Sequence, residues 1–409
     1  MFILVDPVST GVALTEAFRE EGAECLHLYN ASLRHAYDAD TSSRTMVHED
    51  LAKSVELLRD LPVTAVIAAS EYGVLLADEL AVALGLPHHR PELAAARRDK
   101  KLMVRALERS GVPAARTASV RTEDELGRVL TDWGSYPVMV KPRNSAGSDG
   151  CVISPDRDTA IQAFRDIVGR RNLMEEVNEE VLVQQFLTGT QYIVNTVSLE
   201  GRHLVSDVYV ERIDHVDGAP VLRHILSRPL LDPAEAEVVD YVLECLDALG
   251  IREGAAHTEV MLTPAGPRLV EVNSRVMGPS LAPDPYHAAF GYSHQHLVVE
   301  RFLRPEDFAR RFELPYTGAR IVAKIFLRPH RPGTVRSIDG ARVLRRLPGF
   351  HSIDRLPVVG EAVKDRYLTT GSCGIAYLVH EDEQLLRHSL GVIHALEDTG
   401  GFYQFDDEH

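Results

Sequence analysis

A multidomain protein mixing α/β and α+β units is predicted by three observations. Short apolar runs alternate with helical patterns over the first ninety or so residues, the pattern changes to strand-rich sequence around residues 115–190, and 409 residues are too many for one simple core. The N-terminal alternation is that of a small, parallel, doubly wound domain.

The elements read in order. Phe2–Val5 is a short apolar strand, Gly11–Glu21 a helix closed by Gly22, and Glu24–Tyr29 a second strand. His48–Arg59 reads as helix, Thr64–Ala69 as strand, and Val74–Leu84 as a helix capped by Gly85. The turn Asp6-Pro7-Val8-Ser9-Thr10-Gly11 lacks the spaced glycines of a dinucleotide fingerprint, so an NAD domain is not expected. A basic helix from Pro91 through Arg97-Arg98-Asp99-Lys100-Lys101 to Ser110 ends at Gly111-Val112-Pro113. Strands at Tyr136–Lys141, Cys151–Ser154 and Val181–Phe186, with a helix at Thr159–Ile167, give a small α+β subdomain. A larger α+β unit follows from Tyr192, and the C-terminal part carries strands Ala319–Leu327 and Tyr377–His380 and a helix Asp382–Leu396. The expected domains are 1–112, 113–191 and 192–409.

Bulk composition excludes several classes. The 45% hydrophobic and 25% charged fractions are those of a globular protein. Forty-four Lys+Arg against 60 Asp+Glu give a net charge of −16, which argues against nucleic-acid and anionic-membrane partners. Cys25, Cys151, Cys245 and Cys373 have no paired spacing, so neither a zinc site nor a disulfide framework is indicated, and a reducing cytoplasm is the expected compartment. Met1–Asp6 has no basic n-region and reads as a strand, and no apolar run approaches transmembrane length.

Three stretches carry chemistry. In His257-Thr258-Glu259 … Glu271-Val272-Asn273-Ser274-Arg275, turn chemistry at Thr263–Pro267 predicts a β-hairpin. Closure about Ala265 would set Glu259 opposite Glu271, with Asn273 on the same face. Opposed like charges repel, so a cation is expected between them, and a hard divalent ion on carboxylates and phosphates is the economical one. Lys141, at the end of a strand, precedes the loop Ser145-Ala146-Gly147-Ser148-Asp149-Gly150, whose amides can turn toward phosphate oxygens. An ordinary hairpin turn has the same composition. Gln184-Gln185-Phe186-Leu187 runs from a strand into the linker Thr188–Gln191, a place where a flat purine takes backbone hydrogen bonds.

Together these motifs resemble the ATP-grasp family over roughly residues 90–300. The resemblance implies an ATP-grasp fold behind an N-terminal doubly wound pre-ATP-grasp domain. It implies ATP bound by Lys100, Lys141, Ser145, Ala146, Gly147, Ser148, Gln184, Gln185, Phe186, Leu187 and Gln191, with Gln184 and Gln191 standing where glutamates are usual. It also implies Mg²⁺, or Mn²⁺ in its place, on Glu259, Glu271 and Asn273. Arg275 and Lys141 would be the catalytic cations, the first facing the substrate carboxylate. The block His257–Arg275 is most similar to bacterial L-amino-acid ligases, which make an acyl phosphate and pass it to a second amino acid's amine. His224, Gly278, Pro279 and Glu71 are the substrate-side candidates that follow. His224 reads equally as a solvated strand histidine and Glu71 as a helix cap. A biotin-carboxylase-like or purine-pathway ligase and a non-catalytic nucleotide-binding protein stay open, as do the choice of α or side-chain carboxylate and a homodimer through the first domain. The expected partners are small amino acids.

Overall fold

The computed structural model describes residues 1–31, 44–145, 149–172, 174, 176–216, 219–278, 281–363 and 373–406. The N-terminal unit is a parallel sheet of β1 (Phe2–Val5), β2 (Cys25–Asn30), β3 (Arg44–His48) and β4 (Ala65–Ala68) in the order β3-β2-β1-β4. Helices α1 (Thr10–Glu20), α2 (Leu51–Arg59) and α3 (Val74–Ala83) connect it. β3 went unread in the sequence because Arg44-Thr45-Met46-Val47-His48 is a half-exposed edge strand without a clean apolar face. The helix expected from His48 therefore starts later, where the Asp50 side chain accepts from the Lys53 N–H.

The basic helix is shorter than its pattern. Two 3₁₀ turns occupy Pro91–Leu93 and Ala95–Arg97, and the α-helix proper, α4 (Lys100–Arg109), begins only where Asp99 caps the Lys101 and Leu102 N–H groups at 2.9 and 3.1 Å. That cap puts Lys100 at the helix start.

A four-stranded antiparallel sheet follows, from β5 (Thr117–Val120), β6 (Val138–Pro142), β7 (Val152–Ser154) and β8 (Val181–Gln185), in the order β5-β8-β6-β7. It is backed by α5 (Glu123–Trp133) and α6 (Arg157–Ile167), which close a separate apolar core around Leu126, Phe164 and Val183.

The largest element is an eight-stranded sheet. It contains β9 (Thr190–Leu199), β10 (Arg202–Val216), β11 (Ala219–Ser227), β12 (Gly254–Thr263), β13 (Gly266–Asn273) and β14 (Ile321–Leu327). Helices α7 (Pro233–Ala248), α8 (Asp284–Phe290), α9 (His294–Leu303) and α10 (Pro305–Arg310) interrupt that run of strands. Next come β15 (Gly333–Ser337), α11 (Gly340–Leu344), β16 (Phe350–Arg355), β17 (Ala362–Val363), β18 (Gly374–His380), α12 (Glu383–Asp398) and β19 (Gln404–Phe405). The large sheet is ordered β13-β12-β9-β10-β11-β14-β18-β16, and β15, β17 and β19 form a small sheet of their own.

Strand alternation splits the large sheet into two faces. One carries Val260, Val272, Val194 and Val208 into a core with α7, and Ala323, Ile325 and Leu378 into a core with α12. The N-terminal domain closes over the other side: Phe2, Leu14 and Phe18 share a core with Val197, Ala255, Val298 and Phe308. The carboxyl edge of the parallel sheet thereby meets the open part of the large sheet, and the cleft lies between them. Close approach at that edge demands small residues, since a Cβ on Gly73 would lie 2.4 Å from the Val5 carbonyl oxygen. Among the described residues no helix is long and apolar enough to cross a membrane.

Candidate active site

A cleft of about 340 Å³ is walled by all three units. Val8, Ser9, Thr10, Ser70 and Glu71 come from the N-terminal domain; Lys141, Ser145, Asp149 and Cys151 come from the smaller antiparallel sheet and its loop. The large sheet supplies Gln191, Glu211, His257, Glu259 and Glu271, with Arg275 and Gly278 just beyond β13. Lys100 reaches in from the start of α4.

The hairpin forms as read, with a different turn. Thr263 pairs with Gly266, so the turn is two residues long, and a bulge between Glu259 and Val260 restores the pairing of Glu259 with Glu271 and of His257 with Asn273. Without that bulge the two acids would fall out of register. Positive groups compensate them in place. Lys100 Nζ donates to Glu271 Oε1 at 2.7 Å and to the Ser145 carbonyl at 2.7 Å, tying β13 to the start of the glycine-rich loop. Burial opposes the Lys100 charge, but the Glu271 carboxylate outweighs it and raises the ammonium above its usual value.

Glu259 accepts from Gln191 Nε2 at 3.2 Å and lies 3.5 Å from His257 Nε2. Burial would raise its carboxyl, yet the His257 contact and the charges of Arg275 and Lys100 hold it below the usual range. His257 is itself oriented by Asn195, at 2.9 Å from Nδ1.

Lys141 is 5% exposed and donates to Gln184 Oε1 at 2.8 Å, while Gln184 Nε2 donates to Thr117 Oγ1 at 2.9 Å. Burial, reinforced by the charge of Lys100, holds Lys141 below the usual lysine value. A glutamine at 184 satisfies the lysine and still offers a donor to the neighbouring strand, which a carboxylate could not do. Gln184 points inward; Gln185 is exposed, and Phe186 and Leu187 are half-buried at the end of β8. Ser145 Oγ donates to Asp149 Oδ2 at 2.7 Å. Ala146, Gly147, Ser148 and Pro279, expected in the phosphate loop and the pocket wall, lie outside the described residues.

Arg275 is held by Glu71, whose Oε2 accepts from Nε at 2.6 Å. Glu71 also binds Arg98 and, with the Asn273 amide nitrogen turned toward it, accepts from Asn273 at 2.9 Å on both oxygens. Burial acts to raise the Glu71 carboxyl, and Arg275 and Arg98 overcome it, so it is held low. Glu71 is thus the hub that aims Arg275, and it caps no helix. Asn273 is committed to that hub, while Glu259 and Glu271 face the cleft from the hairpin.

His224 is corrected. It pairs with Arg212 on the side of the sheet opposite Ile225, where Nδ1 lies 2.8 Å from His394 Nε2 and the rings stack at 5.1 Å. Burial and the neighbouring His394 push its pKa down to about 3. The bulge at Arg212/Ile213 decides which strand residues face the cleft, and it sends Leu222 and Ile225 there instead.

The sequence reading missed several residues. Arg143 bridges Asp99 and Glu180, and Lys101 reaches Glu180 Oε2 at 2.9 Å, so the strand before the glycine-rich loop is tied to the start of α4. Glu211 lines the cleft with Oε2 buried and unpartnered. Burial, with Glu259 adding to it, lifts that carboxyl well above the usual range. Its signal was an acid at the inward period of Tyr209, Glu211 and Ile213. Thr10 Oγ1 and Ser70 Oγ are likewise buried without partners at the cleft's N-terminal wall.

The donor set suits a nucleotide and a hard divalent ion. Two facing carboxylates, two lysines and an arginine converge, and no group of three or more His, Cys, Asp or Glu among the described residues could hold a metal alone. An ion sharing its coordination between two carboxylates and phosphate oxygens is the fit.

Residues 134–284 match the ATP-grasp domain. Over 97% of its length the chain is 29% identical to the dapdiamide A synthase of Enterobacter agglomerans, covering 96% of that protein. It is 20% identical to the L-arginine-specific L-amino acid ligase of Bacillus subtilis, over 90% of this chain and 86% of the other. The L-amino acid ligase of Bacillus licheniformis superposes with a TM-score of 0.77 at 19% identity, covering 99% of this chain and 98% of that one.

Proposed function

From a chain that carries an ATP-grasp domain and belongs with the ADP-forming carboxylate–amine ligases built on it, we propose that this protein phosphorylates an amino-acid carboxylate to an acyl phosphate. It then joins that acyl group to the amine of a second amino acid, giving a dipeptide, ADP and phosphate. The observation that carries the reading is the convergence of Lys100, Lys141, Glu259, Glu271 and Arg275 on one cleft. Coverage of nearly the whole length of a dapdiamide synthase supports the same class of coupling.

Bound Mg·ATP supplies the phosphoryl group that makes a carboxylate an acyl donor. Lys100 and Lys141 would neutralise phosphate charge, and Glu259 and Glu271 would hold the divalent ion. Arg275, fixed by Glu71 at 2.6 Å, presents a preorganised guanidinium to the carboxylate and to the charge that develops on transfer. Lys100 also ties Ser145, at the start of the glycine-rich loop, to β13 through Glu271. No side-chain nucleophile is required; positioning and electrostatics do the chemistry.

The test is an ADP-release screen over pairs of the common amino acids, with mass spectrometry of the products. ADP and phosphate appearing only when carboxylate and amine substrates are both present is the expected result. AMP and pyrophosphate would overturn the phosphoryl-transfer reading.

A further inference from the structure

Across the cleft face of the large sheet, the lining side chains change character strand by strand. Glu271 on β13 and Glu259 on β12 come first, then Ile193 on β9, Glu211 on β10, Ile225 on β11 and Phe326 on β14. Glu211 therefore stands two strands beyond Glu259, ~10 Å across the sheet at strand spacing. Among the described residues it is not part of any group of three metal-ligating side chains able to hold one ion. Its Oε2 is nonetheless buried in the cleft wall without a hydrogen-bond partner, a costly arrangement unless a ligand completes it. Beyond it the wall is apolar: Ile225 is 1% and Phe326 2% exposed, and Ile213 and Leu222 are half-buried beside them.

We propose that Glu211 and this apolar wall form an amino-acid subsite, in which Glu211 Oε2 accepts from the substrate's ammonium group and Ile213, Leu222, Ile225 and Phe326 enclose an apolar side chain. The assignment rests on the ligase reading for its substrate class. A charged side chain finds no counter-ion among those four residues, and Lys324, paired with Ile225 on the next strand, is itself fully buried. A charged side chain would lose its hydration there, so acidic and basic amino acids are disfavoured at this position. Glu211 is a positioning residue: it sets where the amino group lies relative to Arg275 and the nucleotide-side carboxylates.

The experiment is calorimetric titration of the full-length protein with L-leucinamide, which carries the ammonium and an apolar side chain, and with 4-methylpentanamide, which lacks the ammonium. L-leucinamide is expected to bind, 4-methylpentanamide to bind at least tenfold more weakly, and Glu211→Gln to abolish the difference. In turnover, Glu211→Gln raises the KM of one amino acid at least tenfold and leaves the KM of ATP within twofold. Leu222→Trp narrows the subsite and lowers kcat/KM for leucine and methionine relative to alanine, and it provides the test if Glu211→Gln does not fold. The proposal is overturned if the two amides bind alike or not at all, or if Glu211→Gln shifts the Mg²⁺ or ATP requirement and spares the amino acid. Ammonium-dependent binding without ADP release from any amino-acid pair would sink the ligase reading and leave this subsite standing.

Discussion

Replacing Glu271 with alanine separates folding from chemistry. The side chain has two neighbours with opposite effects: Lys100 Nζ at 2.7 Å, and Glu259 directly across the hairpin. At 2.7 Å the ion pair has a gross attraction of about 6 kcal/mol at an effective dielectric of roughly 20. Desolvation of side chains only 11% and 16% exposed consumes most of it, leaving a net loss on truncation of about 2 kcal/mol. Relief of the cross-strand repulsion returns up to about 1 kcal/mol. Stability should therefore fall by about 1–2 kcal/mol, a few degrees in Tm. Turnover should fall far more, because the proposed divalent-ion site would lose one of its two carboxylates, and a drop of at least about 10³ corresponds to about 4 kcal/mol of transition-state stabilisation. A coupled ADP-release assay beside a thermal melt reads both quantities. A folded Glu271→Ala enzyme within threefold of normal kcat, with unchanged Mg²⁺ dependence, would refute the ion-site assignment.

Other outcomes follow from the same geometry. Lys141→Ala should raise the KM for ATP more than tenfold and leave Gln184 Oε1 without its donor, read by steady-state kinetics. Arg275→Lys keeps a charge but loses the forked contact and the bond to Glu71, so kcat/KM for the carboxylate substrate should drop at least about 100-fold with ATP binding retained. Glu180 is held down to about 2: burial works the other way, but the bonds from Ser119 and Lys101 and the charge of Arg143 win. A depressed carboxyl contributes stability above its unfolded value of 4.5, and that contribution is lost as pH falls from 4.5 toward about 2. The Tm difference between the native protein and Glu180→Gln should therefore be constant at neutral pH and shrink below 4.5; a difference independent of pH would contradict the linkage.

Much of the site was legible because it is local. Lys141 follows its own strand, and the two acids belong to one hairpin, so a few neighbouring residues specify each feature. Alternation along β12 and β13 predicted that Glu259 and Glu271 would face one another. Even there the pairing arrived by a bulge and a tighter turn than the sequence implied. His224 failed for the same reason in reverse: a one-residue bulge between Arg212 and Ile213 flips which side chains look into the cleft, and nothing in Arg223-His224-Ile225 announces it.

The sequence by itself determined the classes of element and the residue types that meet in the cleft. Apolar periodicity and turn residues are short-range signals, and the order of lysine, glycine-rich loop, paired acids and arginine identified the ATP-grasp fold. Only the tertiary structure decided which charges neutralise which. Glu71 is 204 residues from Arg275, and Lys100 is 171 from Glu271, yet each pair closes to within hydrogen-bonding distance. Such contacts depend on how three units pack around one cleft, and the burial that makes Glu211 a ligand-seeking acid exists only once the strands beside it are in place.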